Sequence, residues 1–258
     1  MKKSFFFAAA AAALALSQTV SAQTNFQTFY DFNRGHFTTT LEGFYGDKWG
    51  NTFFFVDYDY NSKDSDEKVF APSGTYFEIA RCLNFWQDSS LGALSAQVEY
   101  NGGVYNGYTI NNAFLFGADY FLHNDSFSNT FNFKLLYKTI NYAGALDLNG
   151  NKRASKLPLQ FTFVWGMQDL FGVKGLRFSG FADFWGESHI LLADAKGDAI
   201  TPEDSDFVFL SEPQIWYNVG QHFGVENLNI GAEFELSYDF GTTKGFAFRP
   251  CIGTKWVF

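Results

Sequence analysis

The chain has 258 residues and a formal net charge of −9, which makes it a poor partner for nucleic acid or for an anionic bilayer surface. Aromatic residues reach 21%, with 34 Phe, 13 Tyr and 6 Trp, yet mean hydropathy is only −0.13, so apolar and polar residues must be finely mixed. Beyond the first residues there is no apolar run of helix-spanning length, which excludes a helical membrane protein.

The N-terminal "MKKSFFFAAAAAALALSQTVSAQ" starts with Lys2 and Lys3, continues as an apolar run from Phe5 to Leu16, and reaches the small residues Val20-Ser21-Ala22. This pattern is a secretory signal peptide over residues 1–22, cut after Ala22 and too short to span a membrane. No Cys follows the cut to carry a lipid anchor. Residues 23–258 are expected to form a single domain with a sizeable core.

From there alternation at period two phases a series of strands: 25–32, 36–45, 51–60, 75–86, 93–101, 111–121, 129–140, 157–168, 175–186, 206–218, 228–240 and 246–258. Segment 228–240 is the clearest. Leu228, Ile230, Ala232, Phe234, Leu236, Tyr238 and Phe240 fall on one face, and Asn229, Gly231, Glu233, Glu235, Ser237 and Asp239 on the other. In 246–258 the apolar face carries Phe248, Ile252, Trp256 and Phe258; Arg249, Cys251, Gly253 and Lys255 oppose them. Each segment is near the roughly 9–11 residues that a tilted membrane strand needs. Longer polar connections at 61–74, 141–156 and 187–205 alternate with short ones at 46–50 and 170–175, the habit of long outer loops and short periplasmic turns.

The fold class expected is all-β: a transmembrane antiparallel up-and-down β-barrel of about twelve strands, with both termini at the periplasmic end. A soluble sandwich or lipocalin-like barrel also alternates, but its polar face should be dense in Lys and Thr. Here charged residues are 17% and many fall in the connections. Rings facing outward into outer-membrane lipid, around a closed wall with no free edge, satisfy both constraints.

Three residues resist the pattern. Arg81 shares the greasy face of Phe77, Ile79, Leu83 and Phe85, where a cation in lipid costs roughly 2–4 kcal/mol, so a bulge or a phase error is expected there. Pro213 and Pro250 each delete a ladder donor.

With the greasy face outward, the other face lines the lumen. Its acidic candidates are Asp31, Glu42, Asp57, Asp59, Glu78, Glu99, Asp119, Asp183, Glu212, Glu233, Glu235 and Asp239. Its basic candidates are Lys134, Lys138, Arg177, Arg249 and Lys255; inward rings include Phe29, Phe44, Phe53, Phe55, Tyr76, Phe181, Trp185 and Trp216. Charged walls set ion preference in a wet channel, and rings mixed with carboxylates suit stacking on flat polar solutes. The same residues could equally hold a non-conducting barrel together. Cys82 and Cys251 point inward from well-separated strands, beyond the Cα limit of about 7 Å, and are expected as free thiols.

Catalytic chemistry is not apparent. His36, His123, His189 and His222 are scattered, without metal-ligand spacing, and Ser188–His189 lies in an expected loop. No nucleophile motif, phosphate loop or cofactor fingerprint appears, so neither enzyme activity nor a metal is expected.

The stretches "TLEGFYGDKWGNTFFFVDYDY" (40–60), "SGTYFEIARCLNFW" (73–86) and "LRFSGFADFWG" (176–186) resemble the Tsx-type nucleoside-specific outer-membrane channels, and uncharacterised Bacteroides-type barrels grouped near them. The resemblance implies a twelve-stranded barrel whose narrow, ring- and charge-lined pore passes nucleosides. The expected role is therefore passive diffusion of small polar solutes, nucleosides among them; the alternative is a non-conducting structural or surface-binding barrel acting through its loops. Gly253, Trp256 and the terminal Phe258 resemble the signal by which the barrel-assembly machinery recognises its clients.

Overall fold

The computed structural model describes residues 22–62, 70–106 and 108–258. Except for Ala22, the expected signal peptide lies outside the described residues. The strands are β1 (Ala22–Asp31), β2 (His36–Asp47), β3 (Gly50–Tyr60), β4 (Pro72–Leu83), β5 (Leu94–Tyr105), β6 (Tyr108–His123) and β7 (Asn129–Ile140). They continue as β8 (Leu159–Gln168), β9 (Leu176–Asp194), β10 (Ala199–Ser211), β11 (Gln214–Tyr217), β12 (Leu228–Tyr238), the two-residue β13 (Thr243–Lys244) and β14 (Phe246–Val257). Two short 3₁₀ turns, Leu170–Gly172 and Val219–His222, complete the described elements, and no described helix is long and apolar enough to cross a membrane.

From β1 to β10 each strand pairs antiparallel with its chain neighbours, β12 pairs β14, and β1 pairs β14 from Asn25↔Val257 to Asp31↔Cys251, which closes the sheet. β10 and β11 are one stave in two pieces. Both pair β9 on one side and β12 on the other, in a register carried across Glu212 and Pro213. Counting them together gives a closed antiparallel barrel of 12 staves. Pro213 is the reason for the break, because it has no N–H to give the ladder. Opposite it, Gly180 adopts φ 157°, and a Cβ there would lie 2.5 Å from the Glu212 carbonyl oxygen. Pro250, by contrast, is accommodated within β14 opposite Phe234.

The alternation is realised as expected. On β12 and β14, Glu235, Ser237, Ala247, Cys251 and Lys255 are buried inside, while Ile230, Tyr238, Phe248, Ile252 and Trp256 are exposed on the outer wall. Cys82 and Cys251 are buried free thiols. Two clusters fill parts of the interior: Phe29, Trp216 and Cys251 on one side, and Ala113, Leu115 and Leu136 on the other. Phe29 and Trp216 lie 5.5 Å apart at 52°. Gly253 makes room for them, since a Cβ there would come within 2.7 Å of the Phe29 ring.

Three expectations are corrected. No register shift occurs at Arg81, which pairs in phase with Thr52 and Val98. Its side chain is outward at the end of β4, where it reaches Asp47 at 2.9 Å and Thr52 at 3.0 Å. Residues 187–205 are not an open loop: β9 runs on to Asp194 and β10 begins at Ala199, so the wall rises there as a hairpin around a turn whose amides at Lys196 and Asp198 donate to the Asp194 carboxylate. The contrast of connection lengths is also weaker than expected, because the end that holds the termini carries the long connections 84–93 and 218–227.

At the opposite end the connection 239–245 reaches past β10 to the β9 extension, where β13 pairs parallel with Ala193 and Asp194. His189 bridges the carbonyls of Glu187 and Asp239 (3.1 and 2.7 Å), and Lys244 holds Glu203 at 2.6 Å. Arg153 of the 141–158 connection donates to the Ser188 carbonyl at 3.0 Å. Three segments are therefore tied together at this end of the barrel.

Candidate functional site

Because every second residue faces the axis, strand register sets inward side chains in rows around the wall. One row runs Asn25, Glu42, Phe55, Glu78, Asn101; the next runs Gln27, Thr40, Asp57, Tyr76. A third places Phe53 beside Ala80, then Glu99, Leu115 and Lys138. A fourth brings Lys134, Thr162 and Asp183 together. Phe44 faces the same way from the end of β2 and is exposed at the opening.

Toward the end away from the termini, four charges form one network. Arg34, from the turn after β1, donates to Asp31 at 2.5 Å and to Glu235 at 2.6 Å. Arg249 donates to Glu235 as well, and to Ser237 at 3.2 Å and Thr243 at 3.1 Å. Arg34 was not among the sequence candidates; its place in a turn hid it. Its pKa is raised above the usual value because Glu235 and Asp31 outweigh the desolvation of its guanidinium.

Two inward tryptophans each carry a lysine. The Lys255 ammonium lies 4.4 Å from the Trp216 ring centroid, and the indole donates at 2.8 Å to Gln214, which in turn donates at 2.6 Å to Glu233. Lys138 lies 4.2 Å from Trp185 and donates to Gln160 at 2.9 Å, while the Trp185 indole donates to Glu187 at 2.7 Å. Asp119 accepts from Asn132 at 2.8 Å and lies 3.4 Å from the Cys82 thiol. Arg177 also faces inward, half-buried, on the cross-strand row of Trp216.

Four further carboxylates are held by neutral groups. Thr38 and Thr40 donate to Asp59 and Asp57, each at 2.5 Å; Tyr76 donates to Glu78 at 2.6 Å; Gln97 donates to Glu99 at 2.7 Å. Asp183 Oδ1 is buried with no hydrogen-bond partner.

Asp239 stands apart from the other candidates. It lies beyond the end of β12 at φ 49°, and its carboxylate accepts from the Gly245 amide at 2.7 Å and Ser205 at 3.1 Å, holding the 239–245 connection rather than facing the lumen. At the other end, the Phe258 amide donates to the Thr24 carbonyl at 2.9 Å, and the Asn227 side chain donates to the Val257 carbonyl at 2.5 Å, so the last residues are tied to both neighbouring staves. Among the described residues no group of three or more His, Cys, Asp or Glu side chains is arranged to hold a metal ion.

The lumen is thus filled unevenly. Leu115 and Leu136 are 0% exposed and Trp216 is 1% exposed, whereas Phe53, Phe55, Asp57, Glu78, Glu99 and Glu233 remain in reach of solvent. The water-accessible part of the interior is therefore bounded by rings and carboxylates.

Among solved structures, the chain is similar to the NanC porin, with a TM-score of 0.55 at 8% identity over 91% of this chain and 98% of that one. It also matches a BenF-like porin from Pseudomonas fluorescens Pf-5, with a TM-score of 0.42 at 10% identity over 93% and 98% of the two chains. No curated protein matches it in sequence. The likeness to the NanC porin shows that the two chains share one barrel fold at matching length. A family model described as "Domain of unknown function (DUF5020)" matches residues 22–258, from the first described strand to the last residue, and the chain belongs to that family.

Proposed function

We propose that this protein is an outer-membrane channel through which small polar solutes diffuse passively, and that it has no enzyme activity. The observation that carries this reading is the half-buried lining of Phe53, Phe55, Asp57, Glu78, Glu99 and Glu233 inside a closed barrel. A wall that served only as a plug would pair or bury these carboxylates. Solutes would move down their gradient through weak serial contacts, loose enough to release. Outer-membrane porins with this fold support that setting. In this reading the termini are periplasmic, the 141–158 connection and the β9–β10 hairpin face outward, and Trp256 and Phe258 are read by the barrel-assembly machinery. Nucleosides are the solutes favoured by the Tsx-type resemblance, and the inward ring pair Phe53 and Phe55, 6.1 Å apart, suits flat rings.

The second reading, a non-conducting barrel acting through its outer loops, is favoured by one observation: the 239–245 connection and the tall hairpin are bonded into one structured surface at the end away from the termini. Single-channel recording in planar bilayers separates the two. Discrete conductance steps, reduced by added nucleosides, are expected. Closed traces under every condition would favour the second reading.

A further inference from the structure

We infer that the solutes preferred by this lumen are small organic cations, carrying an amine or guanidine next to an apolar surface; the inference rests on the channel reading above.

The first observation concerns charge. Asp57, Glu78, Glu99, Asp183, Glu212 and Glu233 come from six different stretches of the wall, and among the described residues none of them forms an ion pair. Four of the lumen's six inward cations are engaged elsewhere. Arg34 and Arg249 are held by Asp31 and Glu235, and Lys138 and Lys255 lie on tryptophan faces next to Gln160 and Gln214. The six acids outnumber the two remaining inward cations, Lys134 on the row of Asp183 and Arg177 on that of Trp216, so the interior field left over is negative, and a low-dielectric wall concentrates it.

The second observation is independent of charge. Phe53, Phe55 and Tyr76 form a ladder with centroid spacings of 6.1 and 5.9 Å. The ladder threads between the acids: Phe55 is the cross-strand partner of both Glu42 and Glu78, and Tyr76 is the partner of Asp57. Ring faces attract cations, more strongly when water is partly excluded. On this same inner wall, Trp185 and Trp216 each hold a lysine ammonium, at 4.2 and 4.4 Å. The chain thus displays the contact with its own side chains. Among the described residues the Phe53–Phe55–Tyr76 ladder has no such internal cation.

Third, Asp183 Oδ1 is buried and no donor of the wall reaches it, so this oxygen adds negative charge behind the lining that the protein leaves uncompensated. A bare metal ion needs several oxygens converging on one point, and the described acids do not converge so. An organic cation can use rings and scattered carboxylates in turn.

The test uses the mature chain reconstituted in planar bilayers and in liposomes. Reversal potentials in a potassium chloride gradient should have the sign of cation flow, and choline should enter liposomes about five-fold faster than gluconate of similar size. Glu78→Gln with Glu99→Gln should bring potassium and chloride permeabilities closer together. Phe55→Leu should lower choline entry while leaving the potassium-to-chloride ratio in place. Conductance with no preference, or with gluconate entering faster, overturns the inference and leaves the channel standing. Absence of conductance and of all solute entry overturns the channel reading and this inference with it. The wild-type measurements decide the matter even if a variant fails to fold.

Discussion

Arg34 and Glu235 meet at 2.6 Å although a whole stave, β14, stands between their strands. The guanidinium reaches along the inner wall from the β1–β2 turn and shares Glu235 with Arg249. Glu235 is 4% exposed, so the carboxylate depends on these two partners for its charge to be tolerated there. Glu235→Ala leaves two guanidinium groups without their shared acceptor and is expected to cost about 3 kcal/mol. Arg34→Ala should cost clearly less, because Arg249 still pairs Glu235 and the Arg34 side chain is 46% exposed. Urea unfolding of the barrel in lipid, followed by tryptophan fluorescence, measures both; equal losses would show that Arg249 does not share the load.

Lys138→Met keeps the length of the side chain and removes its ammonium from Trp185. Stability is expected to fall by about 1 kcal/mol, the worth of a cation on a partly desolvated ring. The lumen also becomes more negative, so on the channel reading the reversal potential should move further toward cation flow. A shift in the opposite direction would mean that Lys138 does not bear on the permeation path.

Gly253→Val places methyl groups where the Phe29 ring now lies. Phe29 must move away from Trp216, and overpacking of this kind costs roughly 1–3 kcal/mol. Near-ultraviolet circular dichroism should lose part of its tryptophan signal while the strand signal remains. An unchanged spectrum would show that the ring can be accommodated elsewhere.

Deleting Phe258, or changing it to Asp, should reduce the amount of assembled barrel in the outer membrane far more than an equivalent change within 187–205. Phe258 is 70% exposed, so the loss would reflect recognition during insertion rather than a lost core contact. Surface labelling and the heat-dependent gel shift of folded barrels provide the readout. Equal levels of the two variants would remove the assembly role from this residue.

Most of the wall was legible because a half-buried strand writes its two faces directly into the sequence: Glu233, Glu235 and Ser237 alternate with Phe234, Leu236 and Tyr238, and the structure keeps that phase. Where polarity and geometry part company, the reading failed. Residues 187–205 carry enough charge to resemble a loop, yet Ile190, Leu191 and Leu192 continue β9, and Leu191 is buried beneath its neighbours. Asp239 fits the alternation of β12, but a left-handed backbone turns it out of the strand, a change that no face pattern reports. Arg34 was missed for the converse reason. Its backbone belongs to a turn, and a long flexible side chain carries its charge to an element far away in sequence. The ring contacts of Lys138 and Lys255 were also invisible, because register names neighbours on a wall but not where a four-carbon stem bends.

The outward Arg81 and its bond to Asp47 have a bearing on depth. A charged pair on the outer wall cannot lie in hydrocarbon without a penalty of a few kcal/mol, so it marks a latitude at which headgroups and water must begin. Immediately above it on β4 the exterior is Ile79, and on the neighbouring β3 it is Phe54. On the channel reading, the Arg81–Asp47 pair limits how far that side of the cylinder can sink into a membrane.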